Sequence, residues 1–368
     1  MTHQAQTGMP TSGAQDSAAF ETSQAFRDWA GADTPVLAGT EIGAADLSGG
    51  DAFVVRAFHG TTHSFDRFSA HLMGNAEGAF GRVNYFTSSY HDAQRNYACE
   101  GMDLASRIEN DADRLSCEIQ CAPEEFDLPE DASATDCHDK AVEITRAHLL
   151  GSNPHVKEVY LRFSAPFLLD GERWVRRRGQ RSLKRDTTPL LFREIEDAHA
   201  EAEAEVLADN QLDHLDGEAR EEALEDLEEE VYERLDEKRA EVLETLADAV
   251  AAVASDLDIE IPDLPEGLFM DLDELTHQGL YDALMGSEDF QMTTCPETGQ
   301  LISTDIFSRI VEHLGFDVIV LRNADQAFEG MEIPMGASHL HIFDSKTANI
   351  LEVSGAVEEA PGAAPLAA

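Results

Sequence analysis

From Glu218 to Ser255 the chain has neither proline nor glycine, and Leu224, Leu227, Val231, Leu235, Val242, Leu246, Val250 and Val253 recur at helical spacing. One regular structure suits such a stretch, an amphipathic helix of about 50–55 Å at 1.5 Å per residue. A weaker stripe through Ile195, Ala198, Ala202 and Val206 precedes it, and Asp216-Gly217 separates the two. The pattern predicts an antiparallel helical hairpin within residues 189–286. Its polar faces are dense in Glu and Asp. Two readings fit it: a solvated arm packed along one seam, or an arm dedicated to a partner.

The flanking sequence is of another kind. Residues 52–170 and 290–353 mix short apolar runs with Gly and Pro punctuation. Ala52 to Phe58, Val156 to Phe163, Phe316 to Leu321 and His339 to Phe343 read as strands. Asp92 to Glu100, Asp103 to Cys117, Lys140 to Leu150 and Thr304 to Leu314 read as helices. The class is α+β, with the acidic hairpin inserted. Residues 1–50 are rich in Ala, Gly, Ser, Thr and Gln and poor in large apolar groups, so disorder is expected there, save a short helix around Ala25 to Ala30. Residues 354–368 read as a disordered tail. The organisation expected is a first part over 51–188, the insertion over 189–286 and a second part over 287–353.

Charge bounds the partners. The chain has 368 residues, with 73 acidic against 26 basic and a net charge of −47. Such a surface repels nucleic acid and anionic membrane, and suits either solubility or docking to a basic partner. The exception is Arg173, Arg176, Arg177, Arg178, Arg181, Lys184 and Arg185 around Trp174. That cluster suits phosphate, RNA or an acidic loop, and equally suits internal pairing with the acidic hairpin. No apolar run reaches the ~20 residues of a membrane span and no signal-peptide pattern opens the chain, so a cytoplasmic protein is expected. The spacing of Cys117, Cys121, Cys137 and His138 fits no common zinc pattern, and ordinary thiols are the expectation.

The chemistry-bearing residues lie near two strands. His59-Gly60-Thr61 closes the first apolar run, setting an imidazole at a strand end beside a residue with no Cβ, where a flat ligand can approach backbone. Gly78 and Gly81 then lead into Tyr85-Phe86-Thr87-Ser88-Ser89, followed by a helix start carrying Tyr97. Two tyrosines so placed suit the walls of a slot for a planar ring. The plainer alternative is that both are core aromatics.

Together these residues resemble the ADP-ribosyltransferase superfamily, in the H-Y-E branch that includes diphtheria toxin and the poly(ADP-ribose) polymerases. The likeness is greatest to the ADP-ribosyltransferase-like domains of phage polyvalent proteins. The pattern His-Gly-Thr, Gly-x-x-x-Tyr-Phe-Thr, Ala-x-x-x-Tyr-Ala stands at 59–61, 81–87 and 93–98. Leu-Gly-Phe-Asp at 314–317 and the strand from Ser338 to Asp344 follow. The resemblance covers roughly 52–170 and 300–350. It implies split antiparallel sheets with NAD as substrate in the cleft. His59 would bind the ribose, the Gly60 backbone would hold the nicotinamide amide, Thr61 would belong to the same cofactor-binding set, Tyr85 and Tyr97 would sandwich the ring, and Ser88 or Ser89 would lie beside it. No metal is expected.

The sequence departs from the family on the last strand. A glutamate that binds ribose and offsets oxocarbenium charge is replaced by His339. An imidazole accepts a hydroxyl's hydrogen bond but lends no negative charge. Glu329 and Glu332, in the loop just upstream, are candidate stand-ins. A three-histidine metal site from His59, His339 and His341 is a competing expectation. The implied activity is mono-ADP-ribosylation of a protein acceptor, in the host if phage-encoded. NAD hydrolysis, or nucleotide or protein binding without catalysis, are the alternatives.

Overall fold

The computed structural model describes residues 20–37, 52–65, 68, 80–98, 102–150, 154–170, 239–261, 276–322, 339–342 and 350–352. Among these, β1 (Val36–Leu37), β2 (Phe53–Thr61), β3 (Asn84–Thr87), β4 (His155–Phe163), β5 (Pro166–Asp170), β6 (Val318–Arg322), β7 (His339–Ile342) and β8 (Ile350–Glu352) form one sheet. Its order is β5-β6-β7-β3-β2-β4-β8, with β1 added to β2.

The expectation of split, antiparallel sheets therefore needs correction. The ladder is continuous, and both β1·β2 and β5·β6 are parallel. The chain nonetheless brings the sheet's distant strands together. Only Ser164 and Ala165 separate β4 from β5, so the ends of these strands lie within about 11 Å although four strands stand between them. The sheet must curl. Asp317 clamps the corner: its carboxylate accepts from the backbone N–H of Ser164 (2.8 Å) and of Ala165 (3.1 Å), and its own N–H donates to Ala165 O (2.9 Å).

Curling gives the sheet a concave face. Phe53, Val55 and Ala57 of β2, Val159, Leu161 and Phe163 of β4, Leu168 of β5, and Val318 and Val320 of β6 share one core there. Alternate residues on these strands serve the opposite face, as the pleat requires. Phe167, Leu169, Ile319 and Leu321 pack under α5 (residues 239–257), α6 (His277–Gly286) and α8 (Ser303–His313). The short α7 (Glu288–Gln291) adds Phe290. Side chains of α6 also cover the edge of β5: Leu168 N–H donates to His277 Nδ1 (2.8 Å) and Asp170 N–H to Gln278 Oε1 (3.2 Å). An open sheet edge is satisfied in this way.

Two expectations about the flanks change. The stripe Val242, Leu246 and Val253 of the long amphipathic stretch packs into the same core as α8, so over residues 239–257 the packed seam of the expected arm lies on the main core while its other faces are exposed. The rest of the hairpin over 189–238, and the arginine cluster, lie outside the described residues. Within 1–50 the structure describes residues 20–37, which hold the short helix expected around Ala25 to Ala30 and more beside it. α1 (Gln24–Ala30), N-capped by Ser23, places Phe26 against Tyr160 with ring centroids 4.9 Å apart and covers Val54. Tyr160 Oη donates to Glu21 Oε1 (2.6 Å).

After β3 comes α2 (Tyr90–Asp92), continued by a π-helical turn, Ala93–Ala98. A hairpin of α3 (Met102–Cys121) and α4 (Ala134–Leu149) holds its own small core of Ala112, Ile119, Cys137 and Ala141. Among the described residues no helix is long and apolar enough to cross a membrane.

Candidate functional site

The site is built where β2 and β3 part. One edge of β2 pairs with β4 along its whole length, from Phe53↔Phe163 to Thr61↔His155. The other edge carries β1 at Val54 and Val55, then meets β3 at Phe58↔Thr87. Beyond Phe58 the two strands diverge. His59 bridges the divergence, with Nδ1 lying 2.8 Å from Tyr85 O. A carbonyl only accepts, so Nδ1 carries the proton and donates, and Nε2 keeps its lone pair as an acceptor.

The environment holds that imidazole neutral. Its half-buried ring lies against Phe65 (5.7 Å), Phe68 (5.1 Å) and Phe86 (5.6 Å) between centroids. Burial among these rings, opposed by the hydrogen bond to Tyr85 and aided by Lys157 and His155 nearby, pushes the pKa down to about 4. His59 at neutral pH is an oriented hydrogen-bond acceptor, not a cation.

Gly60 has a different reason from the one its sequence context suggests. A Cβ there would stand 2.1 Å from Ala93 O and 2.7 Å from Tyr97 Cβ. The missing side chain makes room for the π-helical turn rather than for a ligand, and no flat ring reaches the Gly60 backbone from that side. Such a turn, with its extra residue, commonly marks a specialised position. It seats Tyr97 on β2 against Gly60, on the face away from the His59 side chain.

Tyr85 serves the glycine turn before it. Its hydroxyl donates to Gly81 O (2.9 Å) and accepts from Phe80 N–H (3.1 Å). Gly81 has φ +71°, and a Cβ there would meet the Asp305 backbone at 2.4 Å. Only glycine fits both demands. Asp305 in turn accepts from Arg82 N–H (3.0 Å). The Gly-x-x-x-Tyr spacing thus ties β3 to the start of α8.

The hydroxyl residues divide. Thr61 Oγ1 donates to His63 O and accepts from His63 N–H, both at 3.1 Å, so it closes its own turn. Ser89 caps α2 by accepting from Asp92 N–H. Ser88 sits half-buried between β3 and that cap. Beneath them Asn96 Nδ2 donates to the fully buried Asp92 (2.7 Å).

On β7, His339 pairs with Thr87 of β3 and Leu321 of β6, and His341 pairs with Tyr85 and Ile319. His339 therefore stands across one strand from Phe58, two residues along from Tyr85. Glu329 and Glu332 lie outside the described residues. Among the described residues no group of three or more His, Cys, Asp or Glu side chains is placed to hold a metal ion. Cys137 is buried in the α3–α4 core, while Cys117 and Cys121 are exposed.

Comparison with protein-family models, with curated proteins and with solved structures finds no match. The structure brings His59, Gly60, Tyr85, Ser88 and Tyr97 to the point where β2 and β3 part, with the backbone of His339 one strand away.

Sequence reasoning missed Phe65, Phe68 and Lys157. Phe65 and Phe68 follow β2 and fold back on His59, which nothing in their spacing announces. Lys157 is the direct cross-strand partner of His59, visible only once the β2–β4 register is known.

Proposed function

We propose that the protein is a mono-ADP-ribosyltransferase that moves ADP-ribose from NAD to a protein acceptor and releases nicotinamide. One observation carries the reading: a neutral histidine, its Nδ1–H fixed on the Tyr85 carbonyl, at the parting of two strands and beside a tyrosine seated on the next glycine. The fixed tautomer suits acceptance of a ribose hydroxyl's hydrogen bond at Nε2. The motif resemblance supplies the ligand.

The chemistry asks little covalent help. The glycosidic C–N bond breaks with its electron pair leaving on nicotinamide, which departs neutral. The acceptor's nucleophile attacks the ribose carbon and gives up its proton. The protein's task is to orient the ribose and stabilise the oxocarbenium-like charge. His59 and the in-plane backbone of Gly60 would orient, Tyr97 and Tyr85 would flank the ring, with Thr61 and Ser88 near the rim. His339 takes the place of the family's glutamate, with Glu329 or Glu332 as the acid that polarises the acceptor.

An imidazole where the family has a carboxylate favours a second reading, a nucleotide-binding module with little or no turnover. Incubation with radiolabelled NAD and a cell lysate separates the readings. A transferase labels a protein band and a glycohydrolase releases nicotinamide without a partner. A binding module does neither while still binding NAD.

A further inference from the structure

Along β2 and β4 the concave face changes character. Cross-strand partners share a face, with Cβ atoms about 4.5–5.5 Å apart. Phe53↔Phe163, Val55↔Leu161 and Ala57↔Val159 are all apolar and buried in the inner core. The next two pairs on that face are His59↔Lys157 and Thr61↔His155. The apolar trough thus ends in a mouth whose ionisable groups are all basic among these described positions. Glu158 belongs to the other face, where it pairs with Arg56 at 2.7 Å.

The cation at this mouth is positioned. Lys157 Nζ lies 4.2 Å from the centroid of Phe65, whose ring also packs against His59. A cation held over an aromatic face, beside a low-dielectric wall, projects its charge further than one in open water. The field is felt at His59, whose proton affinity Lys157 and His155 both reduce. In a chain of net charge −47, an anion needs such a local positive spot to approach at all.

The geometry points to an anion-binding subsite at the mouth of the concave face, with Lys157 contacting the pyrophosphate of a dinucleotide. The assignment to a dinucleotide rests on the function proposed above; the anion site itself does not. Lysine suits this role as a compact point charge with three rotatable donors. His155, across from Thr61, adds a second polar group along the same row. The pyrophosphate would then lie on the His59 side of β2, opposite Tyr97, so the dinucleotide would cross the strand end from one face to the other.

Calorimetric titration of the full chain with inorganic pyrophosphate, ADP, NAD and nicotinamide riboside tests this. Wild type should bind pyrophosphate and ADP, more weakly as salt rises. Lys157→Gln should weaken both by about tenfold or more, the effect of losing one charge-assisted hydrogen bond. Lys157→Arg should stay within a few-fold of wild type, and Lys140→Gln, on the separate α4, should change nothing. Nicotinamide riboside, which has no phosphate, should bind Lys157→Gln as it binds wild type. The inference is overturned if wild type binds neither pyrophosphate nor ADP, or if a folded Lys157→Gln binds both unchanged. Should ADP binding depend on Lys157 while NAD is never cleaved, the anion site stands and the transferase reading falls. NAD cleavage that Lys157→Gln leaves unchanged, with ADP binding also unchanged, removes the anion site and leaves the transferase reading standing.

Discussion

His59 Nδ1 lies 2.8 Å from the carbonyl oxygen of Tyr85, and this bond spans the place where β2 and β3 separate. It fixes the tautomer, orients the ring and joins two strands whose ladder there includes only Phe58↔Thr87. Burial among Phe65, Phe68 and Phe86 makes the charged form unfavourable. Those two facts yield a pH dependence.

The His59 pKa is lowered from 6.5 to about 4, so the unfolded chain binds a proton more readily than the folded one between those values. Stability from this group is complete above about pH 6.5 and falls as pH drops toward 4. With the ring half-buried, the full shift at 1.36 per unit is discounted to about 1–2 kcal/mol. Many carboxylates also titrate in that range, so the comparison is with His59→Gln. The stability advantage of wild type over the variant, measured by urea unfolding, should shrink from pH 7 to pH 4. A constant difference contradicts the buried neutral imidazole.

Gly60→Ala should destabilise the fold by about 2–3 kcal/mol or more, because the added methyl meets backbone at Ala93 O and overpacking of this kind is not easily relieved. Thermal unfolding reads it directly. An unchanged midpoint would mean that the π-helical turn does not pack on β2 as described.

Tyr85→Phe removes only the hydroxyl shared by Gly81 O and Phe80 N–H. A loss of about 1–2 kcal/mol in stability is expected from these two hydrogen bonds. Ligand affinity should change little, since the hydroxyl serves the turn. A variant that unfolds like wild type but loses NAD affinity would move the hydroxyl from the turn to the ligand.

Leu246→Ala and Phe26→Ala test the two flanking segments. Leu246 is fully buried in the core it shares with α8, and Phe26 is 3 % exposed against Tyr160. Truncation should cost about 2–5 kcal/mol at Leu246 and about 3–5 at Phe26. If either midpoint stays within a degree of wild type, that segment is not part of the folded core.

The strands and helices of the core were largely legible in the sequence, because their apolar runs carry the period of the element they form. β4 and α8 fall within a residue or two of the expected spans. What could not be read depends on non-local contacts. No spacing reveals that Asp317 clamps Ser164 and Ala165 and so curls the sheet. Within residues 20–37 the short helix around Ala25 to Ala30 was legible, but a segment average hid its packing, although Phe20, Phe26 and Trp29 stand close together there. The stripe from Val242 to Val253 has the same period whether it packs on a second helix or in the main core. At the site, His59, Tyr85 and Tyr97 were recognisable as residue types at a spacing. The neutrality of His59 and the reason for Gly60 emerge only from what packs around them.

Release of nicotinamide from NAD, measured with the full chain with and without a cell lysate, tests the central claim most directly. Folded His59→Ala and His339→Ala variants run beside wild type. Wild type should release nicotinamide or label a protein, and His59→Ala should lose about a hundredfold or more of that rate, as expected when a group that orients the reacting ribose is removed. Loss in His339→Ala as well would give that imidazole the glutamate's place. If wild type yields neither product nor saturable NAD binding, the NAD-site account is wrong.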